Sequence, residues 1–296
     1  MPQIISLGEA LIDFVSLQTG VEVKDAPGFL RAAGGAPANL AAALGKLGVD
    51  VGFIGKVGDD PFGHFLQETL ASNGVDTSQL LFEKSACTAL AFVSLRSDGE
   101  RSFSFYRHPS ADMLLNPKEI DENYLGSARI FHFGSISLIS EPSRSATLKA
   151  IEYATRHDLV VSYDPNLRLN LWENPEQART EIEKTLPLAH IVKVNEEELA
   201  FLTDTEDLLE GSSRLRQAGP LMVVVTLGKE GCFFSDKRGQ LKVDGVKVKA
   251  IDTTGAGDAF AAAMLWKLLD CLREGERLEQ IPLEKMRGIL GLANKA

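Results

Sequence analysis

The chain has 296 residues, 44% hydrophobic and 24% charged, an ordinary globular composition that leaves ample material for a core. Its net charge of −10 argues against a nucleic-acid partner, and apolar runs such as 221–225 and 259–265 are far too short to span a membrane. Cys87, Cys232 and Cys271 are widely spaced and form no CxxC pair, which argues against a disulfide framework or structural zinc and for a reducing compartment.

The opening MPQIISLGEALIDF has no basic region and no cleavage site, so it reads as a buried strand and the chain as cytoplasmic. Strands are predicted at Ile4–Leu7, Val51–Val57, Ile130–Phe133, Leu159–Tyr163, Ile191–Val194 and Leu221–Thr226. Helices are predicted at Pro37–Lys46, Pro61–Asn73, Pro142–Arg156, Pro175–Thr185, Glu196–Leu202 and Gly255–Leu272. Proline opens four of these helices, where its missing N–H costs nothing. This alternation predicts an α/β protein, a three-layer sandwich on a mainly parallel sheet. Between Thr88 and Tyr106 the pattern changes to two strands, ALAFVSL and RSFSFY, with a hairpin turn at Ser97–Glu100. With the stretch around Val15–Leu30 they would form a second small sheet, either a lid on the ligand site or an edge continuing the main sheet. No repeat or linker interrupts the chain. It reads as a single domain, 1–296, with a lid built from about 13–33 and 87–108.

The segment richest in chemistry is IDTTGAGDAF, residues 251–260. Gly255, Ala256 and Gly257 are tiny residues at the first turn of a helix, where unpaired N–H groups and partial positive charge favour an anion. Asp258 follows on the same turn. It reads either as a base taking a hydroxyl proton beside that anion site, or as an acid complementing the helix dipole. The chain has no GxxxxGK[ST], and GAGDAF lacks the third glycine of a dinucleotide fingerprint. The HRD and DFG motifs of protein kinases are also absent.

DTTGAGDAF resembles the C-terminal signature of the ribokinase-like, or PfkB, carbohydrate kinases. GGAPANLAAALGKLG (Gly34–Gly48) and FIGKVGDDPFG (Phe53–Gly63) resemble the N-terminal one. SFSFYRHPSADMLL, FHFGSISL and YDPNLRLNLW are similar to stretches of bacterial and plant fructokinases within that family. The resemblance implies a sandwich with a β-sheet lid, ATP as cosubstrate with Mg²⁺, frequent dimers through the lid, and transfer of a phosphoryl group to fructose to give fructose 6-phosphate. Another sugar kinase, such as one acting on 2-keto-3-deoxygluconate, and a non-catalytic sugar sensor on the same fold remain alternatives.

The resemblance also assigns residues. Asp258 corresponds to the catalytic base, and Gly255, Ala256 and Gly257 to its anion hole. Asp13, Gly34, Gly35 and Asn39 correspond to sugar-binding positions, and a carboxylate with a carboxamide suits a polyol. Asp13 as a turn residue and Asn39 as a helix cap are the structural alternatives. Arg107 and Arg168 fall where relatives contact substrate, unless they are solvated surface arginines. Lys193, Asn195, Thr226, Gly228 and Gly231 correspond to the ATP side, and Glu198, in KVNEEEL, to an anchor for Mg²⁺ through water. Asp252 and Thr254 match part of a monovalent-cation site, for K⁺. Relatives continue past the final helix, whereas this chain stops at LGLANKA, so the family domain's C-terminal end and the remaining cation ligands are expected to be missing.

Overall fold

The computed structural model describes residues 1–95, 101–246 and 255–296, and only the backbone of Leu95 and of residues 101–103. In chain order the first elements are β1 (Ile4–Leu7), β2 (Leu11–Ser16), β3 (Phe29–Gly34), α1 (Ala36–Lys46), β4 (Val51–Gly58) and α2 (Pro61–Ser72). Next come β5 (Val75–Glu83), β6 (Leu90–Leu95), β7 (Arg101–Tyr106), α3 (Glu122–Gly126), β8 (Ile130–Gly134) and α4 (Ser143–Arg156). They are followed by β9 (Val160–Asp164), α5 (Pro175–Thr185), β10 (Ile191–Asn195), α6 (Glu196–Thr203), α7 (Leu208–Gln217) and β11 (Met222–Thr226). The last are β12 (Gly231–Asp236), β13 (Gly239–Asp244), α8 (Ala256–Arg273) and α9 (Leu283–Ala293).

Nine strands make one sheet in the order β13-β12-β11-β10-β9-β8-β1-β4-β5, and four make a second in the order β3-β2-β6-β7. In the large sheet only the β11–β12 and β12–β13 pairings are antiparallel. The predicted mainly parallel sandwich with a second small sheet is therefore present. Every predicted strand and helix outside the hairpin lies within one residue of an observed element. The predicted turn at Ser97–Glu100 lies outside the described residues.

The central strands of the large sheet are buried on both faces, which is why they read as mostly apolar runs. Alternate residues go to opposite sides. Ile4, Ile130, Ile191 and Val224 pack with Leu44, Leu70, Leu268 and Leu290 of α1, α2, α8 and α9. Ile5, Phe131, Val192 and Val223 pack with Ala150, Ile182, Leu199 and Leu215 of α4, α5, α6 and α7. Local chemistry sets the helix starts. Asp60 caps α2 by accepting from Phe62 N at 3.0 Å and Gly63 N at 2.8 Å, and Pro61 takes the first helical position. At the carboxyl edge, pairing brings Gly134 beside Asp164 and Asn195 beside Thr226, so these polar groups share one rim. In open α/β sheets that rim is where ligands bind.

Candidate active site

A cleft of about 800 Å³ opens over this rim, walled on one side by Leu11, Asp13 and Phe105 of the small sheet. Asp258 is among the residues that line it.

Gly255 precedes α8 in the left-handed region, with φ of 74°. The first helical hydrogen bond runs from Ala259 N to Gly255 O at 2.8 Å, so the amides of Ala256, Gly257 and Asp258 come before it and face the cleft end. Small side chains keep this turn open. A methyl group on Gly257 would stand 3.1 Å from Lys193 Nζ. Asp258 Oδ2 accepts a hydrogen bond from Asn39 Nδ2 at 2.9 Å. Burial raises the Asp258 pKa to about 6, against the lowering effect of Asn39; Asp164 raises it further, while Lys193 and Arg168 pull it down. The carboxyl thus keeps proton affinity while remaining mostly ionised at neutral pH.

Asp13, Gly35, Asn39 and Arg168 line the cleft, as Asp258 does. Burial lifts the Asp13 pKa to about 6, and the Arg168 charge partly offsets it. Arg168 Nη1 donates to Leu167 O at 3.0 Å. Its charge acts on both Asp13 and Asp258, so it stands between the two carboxylates electrostatically. Gly35 has φ of 101°, and a Cβ there would come 2.3 Å from Glu9 O, so only glycine fits.

Two residues of the expected sugar set stand apart from this wall. Gly34 does not line the cleft; a Cβ on it would meet Asp13 Oδ2 at 2.2 Å, so its lack of a side chain makes room for that carboxylate. Arg107 also does not line it. At 4% exposure it is buried behind the wall, with Nε donating to Asp112 Oδ2 at 3.1 Å and Nη2 bonded to the same oxygen. Ser110 Oγ donates to the other oxygen of Asp112. The guanidinium is satisfied inside the protein.

Lys193, Asn195, Glu198, Thr226 and Gly228 also line the cleft. Lys193 Nζ is 2.7 Å from Asp164 Oδ2, and both side chains are buried. Burial opposes the lysine charge, but Asp164, Glu198 and Asp258 outweigh it and hold the Lys193 pKa above the ordinary value. Asn195 caps α6, its Oδ1 accepting from Glu198 N at 2.8 Å. Glu198 answers through Oε2, which accepts from Asn195 N at 2.9 Å, and its Oε1 accepts from Leu167 N at 2.7 Å. Gly231 opens β12 with φ of 98° and does not line the cleft. Its role is to let the backbone pass Val243 O, only 2.1 Å from where a Cβ would sit.

Glu198 supplies a carboxylate to this part of the cleft, and Mg²⁺ keeps several waters and binds through one or two carboxylates together with phosphate oxygens. Each Glu198 oxygen accepts one backbone N–H and has a lone pair left, as an anchor for a hydrated ion needs. Asp164 Oδ1 is buried without a hydrogen-bond partner among the described residues. Asp252 and Thr254, the expected cation ligands, lie outside the described residues.

The pfkB family carbohydrate kinase model matches residues 1–281. The chain belongs to this family. It is 48% identical over 292 residues to probable fructokinase-4 of Arabidopsis thaliana, covering 98% of this chain and 88% of that protein. Its backbone is similar to a fructokinase double mutant from Vibrio cholerae O395 in fructose-, ADP- and potassium-bound form. That match has a TM-score of 0.86 and 35% identity, over 99% of this chain and 90% of that one. A fructokinase from Xylella fastidiosa with bound ATP gives a TM-score of 0.87 and 33% identity, again over 99% and 90%. This member of the family is thus an ATP-dependent carbohydrate kinase.

Glu196 and Glu197 line the cleft beside Glu198 without having been expected there, and three further polar residues escaped the sequence reading. Glu9 and Asn166 line the cleft, and Asp164 supplies the buried partner of Lys193. Asp164 immediately follows a predicted strand of the parallel sheet, and Glu9 and Asn166 lie two and three residues beyond one, so closeness to the rim is a usable signal.

Proposed function

We propose that this chain phosphorylates D-fructose at a primary hydroxyl to give fructose 6-phosphate, with Asp258 as the base. One observation carries the mechanism: a buried carboxylate, held by Asn39, sits on the same first helical turn as the open amides of Ala256 and Gly257. A hydroxyl presented to Asp258 gives up its proton as its oxygen attacks the γ-phosphorus of ATP. The bond to the β,γ-bridging oxygen breaks and ADP leaves. The amides and Lys193 balance the negative charge on the transferring group. Asp13, Asn39 and Arg168 hold the sugar, and Asn195, Thr226 and Gly228 line the nucleotide half. Glu198 would hold Mg²⁺ through water, and that ion would supply neutralisation of phosphate charge; Asp252 and Thr254 would be ligands of K⁺ on this reading. The fructokinase relatives support fructose over other sugars. The test is ADP formation with fructose, 2-keto-3-deoxygluconate, ribose, glucose and adenosine. A preference for any sugar but fructose would overturn the assignment.

The Asp258 pKa of about 6 sets the pH response. The base works ionised, so kcat should hold above about pH 7 and fall roughly tenfold per unit below about pH 6. A flat profile from pH 5 to 8 would remove Asp258 from the proton transfer.

Arg168→Ala should raise the KM for fructose by about 10- to 100-fold while the KM for ATP changes little, because a sugar oxygen loses a charged donor. Equal losses for both substrates would assign the arginine to phosphate or to the fold.

We read the small sheet as a lid on a single kinase domain, and its far end as the contact of a homodimer. Val15 and Leu30 pair across β2 and β3 on the face shared with Asp13, yet are 37% and 63% exposed. An apolar patch of this kind suits a second copy of the same lid. Leu30→Asp should convert a dimer to a monomer in light scattering and raise the KM for fructose; an unchanged mass would refute the contact. Among the described residues no helix is long and apolar enough to cross a membrane.

A further inference from the structure

The start of α1 has an unusual capping problem. Its N-cap is Gly35, which has no side chain to offer, and its second residue is Pro37, which has no N–H. Asn39 N bonds to Gly35 O at 2.8 Å, so the helix is closed from its fourth residue onward. The amide of Ala36 is satisfied from far along the chain: Glu9 Oε1 accepts from it at 3.1 Å. Glu9 follows β1, is 2% exposed, and presses its own carbonyl against Gly35, where no Cβ fits. Its other oxygen, Oε2, is buried without a hydrogen-bond partner among the described residues. The carboxyl therefore acts as a cap delivered from another element, at a helix end whose dipole favours it. This same turn carries Asn39, whose amide holds Asp258 at 2.9 Å.

We infer that Glu9 is a positioning residue for the catalytic base: it fixes the first turn of α1, and through that turn the Asn39 carboxamide that orients Asp258. The inference rests on the reading of Asp258 as the base. Glu9 need not touch the sugar, since its outer oxygen is closed off from solvent. The groups that bear on its charge are Arg107 and Asp112 behind it and the Ala36 amide in front. Those that bear on Asp258 are Asn39 from α1, Asp164 from β9, Lys193 from β10, and Arg168. The path from Glu9 to Asp258 runs through the Ala36 amide, the first turn of α1 and the Asn39 carboxamide.

The test is a double-mutant comparison in the full chain, with fructose and ATP, or with whichever sugar the unaltered chain turns over best. Glu9→Ala should lower kcat by about 10- to 100-fold, the scale of a misplacement near 1 Å, with the KM for ATP unchanged. The acidic limb of its kcat profile should move to higher pH, because Asp258 loses a hydrogen bond that lowers its pKa. Glu9→Gln should recover most of the loss, since its amide oxygen also accepts from Ala36. The Glu9→Ala/Asn39→Ala pair should be no slower than the slower single variant, since both act on one contact. Multiplying losses in the pair, or a Gln variant as slow as the Ala one, would overturn the inference. If Glu9→Ala does not fold, Ala36→Pro removes the same N–H at a position proline favours, and the same comparison with Asn39→Ala decides. Failure of the kinase reading looks different: the unaltered chain would then phosphorylate no sugar, or Asp258→Asn would keep its turnover.

Discussion

Asp258→Asn is expected to reduce kcat by about 10²–10⁴, or roughly 3–5 kcal/mol of transition-state stabilisation. The carboxamide has the shape of the carboxylate, and its oxygen can still accept from Asn39 Nδ2, now 2.9 Å away. What disappears is the ability to take a proton and the negative charge beside Lys193. Fructose affinity, followed by calorimetry, should therefore stay within a few-fold of the unaltered chain. ATP affinity should hold or tighten, because the phosphates no longer meet a nearby carboxylate. Retention of most of the turnover would end the assignment of Asp258 as the base.

The second large effect is on stability. Lys193 and Asp164 form an ion pair at 2.7 Å, with side chains only 9% and 5% exposed. Attraction in such a pair offsets the cost of removing both ions from water. Lys193→Met fills a similar volume but leaves Asp164 alone, with Oδ1 already lacking a partner. The expected loss is about 3–5 kcal/mol, a large part of a stability of about 5–15 kcal/mol. Urea unfolding measures it directly. Adding Asp164→Asn should restore much of the stability without restoring turnover, because the cation facing the transferring phosphoryl group is still missing. A Lys193→Met protein of normal stability would show that the pair contributes little to the fold.

The sequence exposes the parallel sheet because burial on both faces leaves few polar residues to interrupt its apolar runs, as in Ile4–Leu7 and Met222–Thr226. Its missed elements share a different property. β5, VDTSQLLFE, is an edge strand with several half-exposed polar residues, so its run is broken. β12 and β13 form an antiparallel hairpin whose glycines read as loop. α7 contains Gly211 beside two serines, and α9 contains Gly288 and Gly291, all of which weaken a helical signal. The site divides similarly. Asp258 is legible because three tiny residues precede it on a helix start. Glu9 and Asp164 are single acids in a chain with 41 Asp and Glu, and their significance comes from burial. Arg107 shows the opposite limit. An arginine after an aromatic strand resembles a substrate contact, and nothing in the linear sequence says that Asp112, five residues on, holds it inside.

Glu198 bonds at once to the cap of α6 and to Leu167, the residue before Arg168. The loop that carries the sugar-side arginine and the helix that borders the nucleotide half are thus fastened to one carboxylate. Two binding equilibria that share a mechanical part are not independent. If nucleotide with its hydrated metal shifts Glu198, the Leu167 amide moves with it, and fructose meets a differently placed guanidinium. The effect must run equally in reverse: whatever factor ATP imposes on fructose affinity, fructose imposes on ATP affinity. On the proposed reading of the site, sugar selectivity would be open to adjustment from the residues assigned to the nucleotide.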